Sequence, residues 1–204
     1  MARRSLLLVD SDARSTRVLE VSLKDIKPRI WRRFMIRADA DFVDLHEAIQ
    51  DACGWRNCHL FQFQDQKGKT LAELPGDEGD ETGPDAMSTP IGPALGAKKG
   101  KKLVYIYDFG DWWEHDLEVI DVIKNSPEEF GRKLLAGERA FPPEDCGGTG
   151  GYEECVRVAT GKIQERERLR WLDGWTPEKF DFRETERLFY QAELFLRAHY
   201  YEEM

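Results

Sequence analysis

Tyr105-Ile-Tyr-Asp-Phe-Gly-Asp-Trp-Trp-Glu-His-Asp-Leu-Glu-Val-Ile120 decides how the rest of the chain is read. Leu103 to Tyr107 is a continuous apolar and aromatic run, the composition of a strand. Asp108-Phe-Gly-Asp111 is turn chemistry, with Gly110 able to take positive φ at little cost. From Trp112 the pattern alternates. Trp113, His115, Leu117 and Val119 fall on one side, and Trp112, Glu114, Asp116 and Glu118 on the other. The stretch is therefore a β-hairpin with an acidic face and a face that is apolar apart from His115.

Working outward, Val18 to Leu23 alternates as a strand, and Ile30-Trp-Arg-Arg-Phe-Met-Ile36 is a second one beyond Pro28. Side chains alternate across a strand, so Arg32 and Arg33 must leave it on opposite faces. Trp31 reads as a core aromatic flanked by surface charge. A contact with an anion or partner through Lys24, Lys27, Arg29, Arg32 and Arg33 is the competing reading. Asp41 opens an amphipathic helix as its N-cap, and Asp44 complements the dipole at the third helical position. Phe42, Leu45, Ile49, Ala52 and Cys53 form its stripe, and Gly54 stops it. His46 lies beside the stripe and reads as a packed, hydrogen-bonded histidine. His59 to Gln64 is strand-like.

Residues 65–102 are dominated by Gly, Pro, Asp, Glu and Lys and predict a long mobile loop. Pro127 to Leu135 reads as a short helix. Gly137 to Gly151 is a rigid elbow at Pro142-Pro143 followed by a glycine-rich turn, with no Gly-Lys-Ser/Thr to make it a P-loop. Tyr152 to Val158, Ile163 to Leu172 and a segment from Thr176 read as helices, and Asp181 with Glu184 resembles a capping box. No strand–helix–strand rhythm appears. The expected fold is α+β, an antiparallel sheet packed against the amphipathic helix and the C-terminal helices. Its expected organisation is an N-terminal extension over 1–16, a single domain over 17–190 containing the loop, and a helical extension over 191–204.

With 41% hydrophobic residues in 204, the chain can bury one good core. No apolar run approaches the roughly 20 residues of a membrane helix, and the basic start is followed by too short an apolar stretch for a secretory signal. A cytoplasmic protein without a membrane partner is expected. The four cysteines, Cys53, Cys58, Cys146 and Cys155, lack zinc-finger spacing and read as free thiols. Residues 1–33 carry nine Lys/Arg against four Asp/Glu, and the remainder 21 against 35, leaving −9 overall. That balance argues against a protein coated by nucleic acid but leaves room for a local basic patch.

Five blocks, taken in order, resemble one family. They are Val21-Ser-Leu-Lys-Asp-Ile-Lys-Pro-Arg-Ile-Trp-Arg-Arg33, then Asp44-Leu-His-Glu-Ala-Ile-Gln50 with Gly54-Trp55, then Tyr107 to His115, Gly137 to Gly148, and Gly151-Tyr-Glu-Glu154. Together they resemble the plasmid pRi ORF-three-like family, some members of which bear TnpR-type names as passenger proteins of insertion elements. The resemblance spans about residues 17–190 and implies a compact α+β domain and an accessory role in mobile-element or nucleic-acid biology. The blocks centre on Trp, Asp, Glu and Gly rather than on a Ser or Tyr nucleophile ringed by arginines, so they lend a resolvase chemistry no support.

The candidate functional cluster is Tyr107, Asp108, Asp111, Trp113, Glu114 and His115 from the hairpin, with Glu144, Asp145 and Cys146 from the elbow. Both stretches use residues that fix the backbone, and they are expected to meet. Asp108-Phe-Gly110 is not a kinase motif, because its companion motifs are missing. The carboxylates either staple turns or line a binding groove with Trp112 and Asp116. Alternatively, Asp108, Asp111, Glu114 and His115 hold a divalent metal of a hydrolase-type enzyme. A non-enzymatic binding or accessory protein, with protein or nucleic acid as partner, is the leading expectation. The metal-dependent enzyme is the alternative.

Overall fold

The computed structural model describes residues 15–74, 83–124 and 131–189. Seven strands form one sheet, and every pairing in it is antiparallel. In chain order they are β1 (Thr16–Leu23), β2 (Trp31–Arg37), β3 (Phe61–Gln64), β4 (Thr70–Glu73), β5 (Lys102–Tyr107), β6 (Trp113–Ile123) and β7 (Arg132–Glu138). Across the sheet the order is β4-β3-β5-β6-β1-β2-β7. The helices are α1 (Phe42–Cys53), α2 (Ile91–Leu95), α3 (Gly148–Ala159) and α4 (Arg166–Trp171), and residues 182–189 are also helical. The expected α+β class is what the chain adopts.

The register explains the core. Tyr105 lies opposite His115, Leu117 opposite Val21, and Leu19 opposite Phe34. The inward set of each strand thus forms one continuous apolar face. α1 lies on that face, its Phe42 ring 4.9 Å from Phe63 and its His46 stacked 3.7 Å from Phe61. The Asp41–Asp44 capping box closes reciprocally, and Gly54 ends the helix in the left-handed region at φ 79°. Such a cap contributes about 1 kcal/mol.

β1 sits between β6 and β2 and is buried along its whole length, although it alternates polar and apolar. Its outward Glu20 accepts ion pairs from Arg29 at 2.6 Å and Arg33 at 2.5 Å, which cover the second face. Ser15 is buried and the strand begins at Thr16, so the sheet starts inside the stretch expected to be an extension.

β2 inverts the expectation for its tryptophan. The pairing Val21↔Arg32 turns Arg32 inward, while Trp31 faces out with the Arg33 guanidinium 5.4 Å from its ring. Two further corrections have one cause, tertiary pairing overriding local composition. The stretch 65–102 contains β4 and α2, because Ala72, Ala86, Ile91 and Leu95 find buried places at the sheet's end. Arg132 to Leu135, expected as helix, belongs to β7, where pairing with β2 buries Leu134 and sets Arg132 against Asp51 at 2.5 Å. Residues 75–82, the rest of the expected 127–135 helix before Gly131, and the extension over 191–204 lie outside the described residues. Thr176 to Glu178 is a turn, and the last helical segment instead starts after Asp181, which accepts from Glu184 N–H at 3.0 Å.

Candidate functional site

The β5–β6 turn is held by its first carboxylate. Asp108 takes φ 57° and its Oδ1 accepts from the N–H groups of Gly110 at 2.9 Å and Asp111 at 3.3 Å. The positive φ expected at Gly110 falls instead on Asp108 and on Trp112, at φ 55°. Trp112 N–H closes the turn on Asp108 O at 2.6 Å. Aspartate tolerates the left-handed region because its side chain satisfies nearby amides, whereas a tryptophan there is an outlier.

The turn meets the elbow. Tyr107 donates its phenol proton to Glu144 at 2.5 Å and accepts from Cys58 N–H at 3.1 Å. Burial first, then the hydrogen bond to Glu144, raise the Tyr107 pKa, so the phenol stays neutral. Glu144 also accepts from Arg56 N–H at 2.9 Å, and Asp111 from Gly147 N–H at 3.0 Å. Trp55 donates its indole N–H to Pro142 O at 2.9 Å and stacks on Tyr107 at 5.1 Å. The glycine run lets α3 start here: a Cβ on Gly151 would stand 1.7 Å from Cys146 O, and one on Gly148 2.9 Å from Asp111 O.

The hairpin residues singled out from the sequence divide into three places. Tyr107, Asp108, Asp111, Glu144 and Asp145 converge at the junction. Trp113 and His115 lie in the core, His115 with Nδ1 donating to Trp113 O at 3.0 Å and Nε2 unpartnered among the described residues. Burial lowers the His115 pKa to about 4, so the ring is neutral. Cys146 is buried, and Glu114 lies on the opposite face in an ion pair with Lys24. The four-ligand metal set Asp108, Asp111, Glu114 and His115 therefore does not converge. The alternation that sends Glu114 and His115 to opposite faces of β6 separates them.

The five basic residues divide: three lie on the outer face of β1 and β2 with their charges paired. Lys24 is taken by Glu114, while Arg29 and Arg33 share Glu20. Arg32 is buried, donating to Ala52 O and Trp31 O at 2.8 Å and to Glu138 O at 3.1 Å, with Phe180 3.9 Å from its guanidinium carbon. Burial draws its pKa down to about 10, and it remains charged at neutral pH. Lys27 stands apart, beside a cleft lined by Arg139 and Arg157.

His59, expected to open a strand, lies instead in the loop Asn57-Cys58-His59 before β3, outside the candidate cluster. Its Nε2 lies 2.7 Å from Asp145 Oδ1 and 3.6 Å from Asp108 Oδ2. Burial works to lower the His59 pKa, but the bond to Asp145 and the charges of Asp108, Asp145 and Glu144 raise it overall. A Cys-His pair on a short link between a helix stop and a strand was the available signal. Its distance in sequence from the hairpin concealed its partners.

Known proteins resemble the chain along most of its length. An uncharacterised protein, y4hQ, of Sinorhizobium fredii (strain NBRC 101917 / NGR234) is 33% identical over 155 residues, covering 75% of this chain and 78% of its own. The crystal structure of MM3350 from Methanosarcina mazei Go1, a protein of unknown function, superposes with a TM-score of 0.72 at 31% identity, covering 83% of this chain and 97% of that one. No helix among the described residues is long and apolar enough to cross a membrane. The family model of the plasmid pRiA4b ORF-3-like protein matches residues 15–184, over the whole described sheet and the helices that follow it, and the chain belongs to that family.

Proposed function

We propose that the protein is a non-enzymatic binding or accessory module that recognises a protein partner through the tip of the β5–β6 hairpin. One observation carries this reading. Trp112 is 51% exposed yet is held at φ 55°, a conformation that costs a bulky residue on the order of 1 kcal/mol or more. Phe109, 43% exposed, packs 5.9 Å from it, and Leu60, 51% exposed, accepts the Asp108 N–H through its carbonyl. Exposed aromatic anchors on a fixed turn are the makeup of an interface centre.

The partner's chemistry follows from the surroundings. Asp111, Glu144 and Asp145 rim the tip, and the chain beyond residue 33 is strongly acidic. A protein segment presenting Lys or Arg among apolar side chains complements it, with Trp112 available for cation–π contact. Two of the polar groups singled out for a hydrolase are engaged in structure: Tyr107 with Glu144, Asp111 with Gly147. A link to mobile elements, which suits the plasmid origin in the family's description, is part of this reading. A cytoplasmic setting is supported by the free thiols, of which Cys53, Cys146 and Cys155 are buried.

A synthetic peptide array, read with the full chain and with Trp112→Ala/Phe109→Ala, tests the reading. Bound sequences should be enriched in Lys/Arg next to apolar residues, and binding should fall at least tenfold in the double variant. Equal binding by both proteins would exclude the tip. A nucleic-acid partner would appear as DNA or RNA affinity at low salt that is lost when Lys24, Lys27, Arg29 and Arg33 become Ala.

A further inference from the structure

We infer that His59, Asp108 and Asp145 form a binding site for a divalent transition-metal ion, with Cys58 and Glu144 beside it. One nitrogen and two carboxylate oxygens from three separate segments lie within 4.8 Å of one another, and Cys58, His59 and Glu144 make a second overlapping set within the same limit. Four-coordinate zinc with bonds of about 2.0–2.2 Å to nitrogen and oxygen sets its ligands roughly 3.3–3.6 Å apart. The His59–Asp108 separation of 3.6 Å meets that spacing. The His59–Asp145 distance of 2.7 Å must open, which the exposed Asp145 side chain can do by rotating about χ1.

Two observations separate this group from a chance surface cluster. Asp108 is only 8% exposed, and its Oδ2 faces His59 at 3.6 Å, too far for a hydrogen bond. A carboxylate oxygen that faces an imidazole without bonding it leaves a place for a third atom between them. Charge is the second. Asp108, Glu144 and Asp145 have no Lys or Arg ion partner among the described residues, and His59 is the one group with a positive form that contacts two of them. A divalent cation removes that imbalance.

Imidazole with carboxylates suits Zn²⁺ or Mn²⁺, and the neighbouring thiol favours Zn²⁺ between them. Three protein ligands leave a fourth position to water. The site ties the link after α1, the hairpin turn and the elbow to one ion. It shares Asp145 with the acidic rim of the tip but uses none of the tip's aromatic residues, so loss of metal and loss of peptide binding are separately measurable.

The test uses the full chain without a histidine tag, stripped with chelator and titrated with Zn²⁺ and, separately, Mn²⁺ by calorimetry. His59→Gln, Asp145→Asn and Cys58→Ser are measured beside it, with circular dichroism confirming that each variant folds. One Zn²⁺ per chain is expected, weakened about a hundredfold by either His59→Gln or Asp145→Asn and less by Cys58→Ser. Substitution with Co²⁺ should give absorption bands that His59→Gln alters. Binding unchanged in both His59→Gln and Asp145→Asn, binding lost only in Cys58→Ser, or no stoichiometric binding of either ion would each overturn the site.

Discussion

At the base of the β5–β6 hairpin, Tyr105 and His115 lie beneath α1 and Trp55, whereas at its tip Phe109 and Trp112 stand in solvent. The two ends share residue types and differ in what burial does to them. At the base, polar groups are neutral and, His115 Nε2 excepted, satisfied. Tyr105 OH meets His46 Nδ1 at 2.7 Å and Gln50 Nε2 at 3.0 Å, and His115 turns its Nδ1 to backbone carbonyls. At the tip, Asp108, Asp111 and Glu144 spend oxygens on backbone N–H groups, so they fix the chain rather than the core. Three histidines make the contrast plain: His46 and His115 have lowered pKa values through burial, while three carboxylates raise that of His59.

Substitution at the two ends should break the comparison most sharply. Trp55→Ala, which removes a buried indole against Tyr107, Trp113 and Phe141, is expected to cost about 3–5 kcal/mol. Urea unfolding measures it. A loss below about 1 kcal/mol would mean that the junction is far looser than its stacking geometry.

Acid should act at the base next. His46 and His115 both fall to about 4 in the fold through burial, against about 6.5 in an unfolded chain. Because the folded pKa is the lower one, their stabilising effect is complete above pH 6.5 and is lost as pH falls from there to about 4. Each contributes on the order of 3 kcal/mol over that window. His59 has the opposite sign, its contribution being complete below the unfolded pKa and lost as pH rises through the folded one. Unfolding free energies between pH 7 and 4, repeated in His46→Gln, should show a shallower acid slope in the variant.

Tyr107→Phe lies between the ends. It removes the donor to Glu144 and the acceptor of Cys58 N–H, and should cost about 1–3 kcal/mol while loosening the elbow. Hydrogen exchange at Arg56 and Cys58 should quicken. Unchanged exchange would separate the elbow from the hairpin. The smallest stability effect is at the tip, where Trp112→Ala should change unfolding by no more than about 0.5 kcal/mol. A larger loss would make Trp112 a structural residue and remove the reason for reading the tip as an interface.

Periodicity carried much of this in advance. Trp113, His115, Leu117 and Val119 are buried as their alternation requires, and α1 spans its predicted stripe from its predicted cap. The family could be read from long blocks for the same reason: turn and cap residues leave marks that do not depend on distant parts of the chain. Arg32 could not be read this way. Its burial depends on the carbonyls of Ala52 and Glu138 and on the ring of Phe180, groups from three other segments. β7 and β4 are not legible in this way, because strands at the sheet's ends owe their form to the neighbour's register more than to their own residues.

The sequence by itself determined the α+β class, the hairpin with its two faces, the capped helix and the family, because each rests on interactions between residues close in the chain. Tertiary structure decided which titratable groups share a site. Asp108 and His115 are near neighbours in sequence, yet one lies at the junction and the other in the core. His59 and Asp145, far apart in sequence, are in hydrogen-bond contact. A strand's alternation separates adjacent side chains, and only the pairing of β3 with β5 and the return of the elbow bring distant ones together.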